Sequence, residues 1–286
     1  MKTETLATKQ GRGTTLVELS VNGKETVSGL EIQHFKVWFE GVQVPVGGIA
    51  SVYTKEGYRN QGFATQCLHH ALELQRSKGE LISILFALPD YYERFGYAVV
   101  MPWFEIHVSL DPWNELPPEP KMSDIAPCDR DAVLEIYQEN AKRRVGPVLR
   151  DSALDICPLK PVRWRTQGVL RVLADFNGKV AGYVYHREWG AEGFEVAEVF
   201  AVDGGAYAKL FAYLLHETRR RGKREFIAAL PPDDPFALFL RRYSAQFVVM
   251  TRRSGGGMAR ILDFPKLCES VTPVFRERIS GWGAER

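Results

Sequence analysis

A proline-rich segment interrupts the chain near its middle. Residues 111–120 read DPWNELPPEP and contain four prolines, which lack a backbone N–H and so cannot continue a helix or a central strand. The segment therefore predicts a linker, and 286 residues are enough for two domains of ordinary size. We predict a first domain over residues 1–112, closed by strands near 97–100 and 104–110, a linker over 113–121 and a second domain over 122–286.

The segments on the two sides of this linker follow the same order of predicted elements. Each has a hairpin, a strand, a long amphipathic helix, a buried strand, a short helix and further strands. Glu40-Gly41 and Asn177-Gly178 mark hairpin turns, and apolar residues recur at helical spacing after Ala64 and Tyr207. The sequence therefore predicts an α/β chain of the mixed α+β class, in which each domain has a mostly antiparallel mixed sheet flanked by helices.

The composition argues against several classes of function. Hydrophobic residues make up 45% and charged residues 25% of the chain, as in a globular protein. The net charge of +2 is too small to indicate a nucleic-acid partner or an anionic membrane surface, and the N-terminus lacks the pattern of a signal peptide. Far apart in the sequence, and without the spacing of metal ligands, lie Cys67, Cys128, Cys157 and Cys268. We expect a reduced, cytoplasmic protein that binds no metal, nucleic acid or membrane.

The segment Tyr58–Ala64, with the sequence YRNQGFA, carries the clearest chemical signal. A predicted strand ends before it and a helix begins within it, and a helix N-terminus presents free N–H groups and about half a positive charge. Gly62 allows a ligand to approach the backbone closely, and Arg59 adds a planar cation suited to phosphate. The pattern predicts a phosphate or pyrophosphate site. The alternative is that Gly62 only eases the turn and Arg59 is solvated.

The spacing Arg59-x-x-Gly62-x-Ala64 after a strand resembles the coenzyme A motif of the GNAT acetyltransferases, and Tyr92–Tyr97 (YERFGY) resembles their second motif. Together with Val46–Val52 (VGGIASV), these residues are similar to a narrower group, the tandem GNAT enzymes related to Eis (enhanced intracellular survival). The resemblance implies two tandem GNAT-type domains, without the third, sterol-carrier-like domain of that group. It also implies an N-acetyltransferase that uses acetyl-CoA, with a small-molecule amine or a protein amine as the acceptor.

The resemblance assigns roles to individual residues. Backbone groups of Val52 and Thr54 would form hydrogen bonds with the pantetheine arm, as they would with an additional strand. Tyr92 would protonate the leaving thiolate, which suits a phenol of pKa near ~10 facing a thiol near ~8.5; the alternative is an aromatic ring packed under the cofactor, and Tyr91 is predicted to pack. The pyrophosphate would lie against the side chain of Arg59 and the amides of Arg59, Asn60, Gln61, Gly62, Phe63 and Ala64.

Two features of the sequence depart from the family. GNAT domains open with a strand and two helices that form a wall of the acceptor pocket, whereas about a dozen polar residues precede Leu16, so we predict a mobile arm in their place. The C-terminal carboxylate of Eis-like chains returns to the active site as the general base. This sequence ends at Arg286, after the second domain, so we expect that base to be lost unless the Arg286 carboxylate reaches the site. An acceptor amine that arrives neutral needs no strong base; otherwise the candidates are Glu31, His34, Glu40 and Glu93.

The second predicted domain lacks the phosphate motif. Asp203–Ala208, with the sequence DGGAYA, stands where that motif would fall, and an acid in place of the arginine should repel phosphate. We predict that this domain binds no coenzyme A and supports the first. Two alternatives to an active enzyme stay open. One is a catalytically inactive acyl-CoA-binding regulatory module, and the other is an assembly subunit completed by a neighbouring chain in a homo-oligomer.

Overall fold

The structure, a computed structural model, describes residues 4–11, 13–23, 25–87, 89–101, 103–150, 168–189, 193–243, 246–250 and 256–282. The chain divides into two compact units. The first unit comprises Met1–Pro102, Lys142–Leu149 and Arg252–Arg286, and the second comprises Trp103–Ala141 and Arg150–Thr251. Each unit has its own sheet and its own hydrophobic core.

Runs of strands, separated by single helices, follow one another along the chain, as in a mixed α+β fold. The strands are β1 (Glu4–Gly11), β2 (Thr14–Val21), β3 (Glu25–Phe39), β4 (Val42–Thr54), β5 (Ile82–Ala87), β6 (Ala98–Met101), β7 (Trp103–Ser109), β8 (Met122–Asp124), β9 (Val145–Val148), β10 (Val169–Ala174), β11 (Val180–Trp189), β12 (Gly193–Ala201), β13 (Glu225–Ala228), β14 (Gln246–Met250) and β15 (Gly256–Ile261). The helices are α1 (Phe63–Ser77), α2 (Pro89–Tyr92), α3 (Arg130–Ala141), α4 (Gly204–Arg220), α5 (Pro235–Leu240) and α6 (Phe264–Trp282).

The sheet of the first unit has the strand order β1-β2-β3-β4-β5-β15-β6, and β9 pairs with β3. β4 and β5 run parallel, whereas the other neighbouring strands pair antiparallel. Alternate residues of β2 are buried, because one face of the strand packs and the other does not. On the packed face lies α1, since Val17, Leu30 and Leu68 belong to one core cluster. α6 packs on the opposite face of β4, where Val271 joins Val44.

The N-terminal residues form an edge strand, which corrects the prediction of a mobile arm. β1 pairs with β2 from Glu4–Val21 to Gly11–Thr14. From Thr5 to Gly11 the side chains of β1 are exposed on both faces of the sheet, so its sequence has no hydrophobic alternation to reveal it. Only residues 12 and 13 join β1 to β2, which leaves no room for helices between these strands.

The boundaries of the two units differ from the predicted ranges 1–112, 113–121 and 122–286, because the chain exchanges strands between its sheets. The strands expected near 97–100 and 104–110 have separate partners: β6 pairs with β15, and β7 pairs with β13 and β14 in the second unit. β15 and α6, at the end of the chain, belong to the first unit. Local sequence signals locate strands but do not indicate which sheet a strand will join.

Both predicted hairpin turns are confirmed. Glu40 and Gly41 join β3 to β4 with φ values of 46° and 90°, the left-handed conformation that a tight turn of this kind requires. Between β10 and β11, Gly178 has φ 80°. The carboxylate of Asp175 accepts a hydrogen bond from the N–H of Asn177 at 2.8 Å, which fixes this second turn.

Gly47 lies under side chains at the end of α1 and just after it. A Cβ atom there would lie 2.1 Å from Oε2 of Glu80 and 2.5 Å from Cδ of Gln75. Gly47→Ala is therefore expected to lower the free energy of unfolding by about 1–3 kcal/mol, as measured by urea denaturation. Gly57→Ala is the control, because a Cβ at Gly57 meets no atom within 4 Å. Equal losses in both variants would contradict this close packing.

The sheet of the second unit has the order β14-β7-β13-β12-β11-β10-β8, with β12 and β13 parallel. Its core is rich in aromatic side chains around α4 and α5. The rings of Phe236 and Phe239 are nearly parallel, at 8°, and Tyr207 stacks on both at 24° and 28°. This unit therefore repeats the arrangement of the first, in which a long helix connects two parallel strands, around a densely packed aromatic core.

Three further findings on the described residues concern membrane-spanning helices, metal sites and cysteines. No helix among those residues is both long enough and apolar enough to cross a membrane. In the same ranges, no group of three or more His, Cys, Asp or Glu side chains is placed to hold a metal ion. Cys67, Cys128 and Cys268 are free thiols, and Cys157 lies outside the described residues.

Candidate cofactor and active site

The parallel strands β4 and β5 separate at their C-terminal ends. They pair over Val46–Gly48, whereas β4 continues to Thr54 and β5 to Ala87. In the described ranges, the part of β4 after Gly48 has no strand on its β5 side. A strand edge with free backbone N–H and C=O groups can pair with an extended ligand as it would with another strand.

Val52 and Thr54 turn their backbone groups towards this open edge. Lys55 donates its N–H to the carbonyl of Val27 on β3 at 2.8 Å, so Lys55 faces β3. Because successive residues of a strand direct their backbone groups to opposite sides, Thr54 and Val52 face away from β3. The carbonyl of Thr54 accepts a hydrogen bond from Nε of Arg59 at 3.5 Å. The structure thus brings Val52, Thr54 and Arg59 to one edge.

A β-bulge at Ser51 and Val52 interrupts the pairing of β4 with β3. Ser51 has φ 54°, and the pairing with β3 shifts register between Gly29 and Glu31, so that β4 gains one residue. A bulge bends a strand and redirects its backbone groups, and a non-glycine residue at positive φ is strained unless its surroundings hold it.

The predicted phosphate turn joins β4 to α1. A 3₁₀ turn at Glu56–Tyr58 leads to Arg59, whose side chain is exposed, and to Asn60 at φ 63°. Gly62 is the N-cap of α1 with φ 83°, a conformation that favours glycine. It offers no side chain to the amides of the first turn, and that turn contains no acidic residue. The free N–H groups and the positive end of the helix dipole are therefore available to an anion.

The remaining residues of the turn divide between solvent and core. Gln61 is exposed and donates a hydrogen bond to the carbonyl of Gly57 at 3.4 Å. Phe63 is buried in the core of the first unit, and Ala64 is half-buried. Phe63 therefore anchors the start of α1, while the preceding backbone stays accessible.

Tyr92 ends the short helix α2, which follows β5. Its half-buried ring packs on the core and lies perpendicular to the ring of Tyr97, with centroids 6.2 Å apart. The hydroxyl of Tyr97 pairs with Oγ of Ser83 at 2.6 Å, whereas the hydroxyl of Tyr92 has no hydrogen-bond partner among the described residues. Burial, and to a smaller extent Tyr91, raises the pKa of Tyr92, so its phenol stays protonated. Tyr91 packs as predicted, with the guanidinium of Arg94 4.1 Å from its ring centroid.

The four candidate bases lie in different places. His34 faces α1, and neighbouring side chains contact both of its ring nitrogens. Glu40 lies in the turn between β3 and β4, and Glu93 is an exposed residue that follows Tyr92. Glu31 pairs with Ala50, directly before the bulge. Of these carboxylates, Glu31 therefore lies next to the open part of β4 in the sheet.

In the second unit, a side chain closes the corresponding helix terminus. Asp203 is the N-cap of α4, and its Oδ1 accepts a hydrogen bond from the N–H of Ala206 at 2.8 Å. The carboxylate occupies the position where an anionic ligand would bind, and its charge repels phosphate. Tyr207, in the first turn of the same helix, is buried against aromatic side chains. The protein itself thus fills this terminus, whereas that of α1 is open.

Removal of the Asp203 cap is expected to destabilise the second unit. Asp203→Ala leaves the N–H of Ala206 without its acceptor and should lower the free energy of unfolding by about 1 kcal/mol. Asp203→Asn, which keeps a capping oxygen, should retain most of that stability. Thermal unfolding of the three proteins measures the difference. If the Ala and Asn variants were equally unstable, the cap would not be the cause.

Two models of protein families match the sequence, and both are described as acetyltransferase (GNAT) domains. One matches residues 6–100 and the other matches residues 158–261. No curated protein matches the sequence significantly. The first match contains the open turn and Tyr92, and the second contains the Asp203 cap.

Solved structures with the same fold include three of bacterial origin. A probable N-acyltransferase from Enterococcus faecalis is 19% identical, with a TM-score of 0.72, over 94% of this chain and 75% of that protein. A GCN5-related N-acetyltransferase from Kribbella flavida is 22% identical, with a TM-score of 0.68, over 87% and 60%. Eis1 from Mycobacterium abscessus is 19% identical, with a TM-score of 0.59, over 87% and 65%. The chain spans less than two thirds of the last two proteins, and the likeness is one of fold.

Family matches and structure agree on the predicted fold class. Both units contain a mixed sheet in which a long helix connects two parallel strands, β4 to β5 and β12 to β13. The two family matches fall on these two parts of the chain in turn. The protein therefore belongs to the GNAT superfamily of acetyltransferase enzymes, with two GNAT domains in tandem.

Proposed function

We propose that this protein is an N-acetyltransferase that moves the acetyl group of acetyl-CoA to an acceptor amine in its first unit. The observation that carries the proposal is the uncapped N-terminus of α1 beside the open edge of β4. Both features lie in the unit that contains Tyr92, and a helix terminus with free N–H groups is an anion site by construction. GNAT enzymes use acetyl-CoA, whose pyrophosphate is such an anion.

The residues present fit coenzyme A in three respects. Arg59 is exposed beside the turn and can reach a phosphate with a charge-assisted hydrogen bond. Gly62 leaves the amides of the first helical turn accessible. Val52 and Thr54 have backbone groups directed away from β3, which suits the amides of a pantetheine arm. These residues would bind and orient the thioester without taking part in the chemistry.

The proposed reaction needs one proton donor at the leaving group. The lone pair of the amine attacks the thioester carbonyl carbon, the C–S bond breaks and the sulfur leaves with the bonding electrons. The hydroxyl of Tyr92 gives its proton to that thiolate, and the proton lost by the acceptor nitrogen restores the phenol. The absence of another hydrogen-bond partner for Tyr92, among the described residues, leaves its hydroxyl available for this step.

The acceptor loses its proton either before it binds or to a base. Glu31 on β3, which pairs with Ala50 next to the bulge of β4, is our candidate for this base. We propose a small-molecule amine or a protein amine as the acceptor. The homo-oligomer predicted from the family resemblance stays a proposal, tested by sizing the native protein.

A specific observation supports a second candidate, a catalytically inactive module that binds acyl-CoA. Only two residues connect β1 to β2, so the helices that usually wall the acceptor pocket do not fit there. An acceptor site without that wall holds an amine less well. The cofactor site is unaffected by this difference, so both candidates require coenzyme A binding and differ only in turnover.

One pair of experiments separates these candidates. Calorimetric titration with acetyl-CoA measures binding, and a thiol reagent measures release of free coenzyme A with kanamycin, spermidine or a lysine-containing peptide. The enzyme hypothesis predicts one site per chain and thiol release that depends on an amine. Binding without release for every amine would favour the inactive module. An absence of binding would contradict both.

A further inference from the structure

His34, Gly47 and Ser83 form one row across the sheet of the first unit. His34 on β3 pairs with Gly47 on β4, which pairs with Ser83 on β5. Paired residues share a face of the sheet, and in this row that is the face on which α1 packs. Gly47 has no side chain, so Gln75 and Glu80 fill the space between its neighbours. Oε2 of Glu80 and Nε2 of Gln75 lie within 2.1 and 2.7 Å of where a Cβ on Gly47 would be.

Each end of this row makes further polar contacts. At one end, Nδ1 of His34 pairs with Oε1 of Glu80, and Nε2 of His34 lies 2.7 Å from Oγ1 of Thr15 and 3.2 Å from Nζ of Lys78. At the other end, Oγ of Ser83 lies 2.6 Å from the hydroxyl of Tyr97. The row therefore begins at the partly exposed ring of His34 and ends at Tyr97.

The middle of the row contains buried polar atoms that need partners. Gln75 is 0% and Glu80 is 5% exposed. Within the described part of the chain, Oε2 of Glu80 and both polar atoms of the Gln75 amide have no hydrogen-bond partner. Buried polar groups are almost always hydrogen-bonded, and a water molecule is held where two to four such groups converge. Oε2 of Glu80 and Nε2 of Gln75 converge above Gly47, whose neighbours in the row are His34 and Ser83.

We propose that an internal water joins Glu80 to Gln75 and completes a hydrogen-bonded network from His34 through Ser83 to Tyr97, which positions Tyr92. The link to Tyr92 is direct, because the Tyr97 and Tyr92 rings meet at 82° and the N–H of Tyr97 donates to the carbonyl of Tyr92 at 3.4 Å. The statement about Tyr92 rests on the proposed function, whereas the network itself does not. The residues of the network are positioning residues, since they act on the reaction through Tyr92.

The charges around the network give it a dependence on pH. Lys78 faces His34. Arg260 on β15 pairs with Ser83 on β5 and faces Tyr97. Burial raises the pKa of the Glu80 carboxyl, against the opposing effect of its hydrogen bond to His34. Burial also raises the pKa of Tyr97 to about 12, so Tyr97 stays a neutral donor. A proton gained by the Glu80 carboxyl is therefore the change that the network transmits.

NMR of protein labelled with ¹³C at the tyrosine Cζ tests the network without any acceptor. Gln75→Leu removes both polar atoms at similar volume, and Tyr92→Phe and Tyr97→Phe assign the signals. We expect Gln75→Leu to shift the Tyr97 and Tyr92 signals and to leave the signal of Tyr183, in the second unit, unchanged. Wild-type positions for both signals would overturn the network. If Gln75→Leu does not fold, Glu80→Gln, which keeps the shape, should shift the same two signals.

Two further measurements complete the test. A crystal structure at atomic resolution should contain a water within hydrogen-bond distance of Glu80 and Gln75. A direct hydrogen bond between these two side chains would overturn the proposal of a bridging water. For catalysis, Glu80→Gln should lower kcat and change its pH profile while KM for acetyl-CoA stays constant. An unchanged pH profile in an active Glu80→Gln variant would remove the link to Tyr92. Because the NMR experiment needs no turnover, failure of the proposed function would leave its result intact.

Discussion

Replacement of Tyr92 with phenylalanine is expected to lower kcat for acetyl transfer by about 10²- to 10⁴-fold, the range for loss of a general acid. KM for acetyl-CoA should change little, because the ring still packs against Tyr97 and the core. Stability should also change little, since the hydroxyl of Tyr92 makes no hydrogen bond to the described residues. Steady-state kinetics with detection of free thiol measures the effect.

Tyr91→Phe is the matched control for this experiment. Tyr91 is the adjacent residue, and its ring packs against Tyr92 with centroids 4.9 Å apart and under Arg94. Loss of its hydroxyl should leave kcat within about twofold of wild type, as expected for a residue that only packs. If Tyr92→Phe kept the wild-type kcat, the assignment of the acid would be wrong. Similar losses in both variants would point to packing instead of proton transfer.

The pH dependence of the wild-type rate gives an independent check on the same residue. Burial raises the pKa of Tyr92 above its ordinary value of 10.0, so the phenol keeps its proton throughout the neutral and weakly alkaline range. A donor with a raised pKa is present below that pKa and is lost as pH rises through it. We therefore expect the decline in kcat due to Tyr92 only above pH 10, and a Tyr92→Phe variant should lack it.

The double variant Arg59→Glu, Gly62→Asp is expected to weaken acetyl-CoA binding by about 100-fold, as measured by calorimetric titration. Arg59→Glu removes a charge-assisted contact to phosphate and adds repulsion, which together amount to about 1.5–3 kcal/mol. Gly62→Asp gives α1 the N-cap that α4 has in Asp203, so a carboxylate would occupy the anion site. The second unit already has such an aspartate at the N-terminus of its long helix.

Arg219→Glu is the control for charge reversal, because Arg219 is an exposed residue in the last turn of α4 in the second unit. It should leave the Kd for acetyl-CoA within about twofold of wild type. Circular dichroism checks that Gly62→Asp has not unfolded α1, since Gly62 has φ 83°. Wild-type affinity in a folded double variant would mean that the cofactor binds elsewhere.

The sequence predicts most of the secondary structure because hydrophobic periodicity and turn residues are local signals. The alternation in β2 and the apolar face of α1 are of this kind. β1 was missed because its exposed side chains carry no alternation, and backbone pairing with β2 alone defines it. Tertiary pairing decides which sheet β7 and β15 join. A local sequence pattern contains no information about that pairing.

The candidate site also contains residues that the sequence predicts and residues that it does not. Gly62 and Arg59 could be predicted because a glycine at a helix start and a nearby arginine are visible in the sequence. The bulge at Ser51 could not, since serine has no special preference for positive φ and the register of β3 against β4 determines the bulge. The position of Gln75 and Glu80 could not be predicted either, because they fill the space that the missing side chain of Gly47 leaves between His34 and Ser83.

A crystal structure of the protein with acetyl-CoA tests the central claim most directly. We expect one bound molecule per chain, with its pyrophosphate at the amides that follow Gly62 and its thioester sulfur within hydrogen-bond distance of the Tyr92 hydroxyl. Electron density for the cofactor at α4, or a thioester remote from Tyr92, would contradict it.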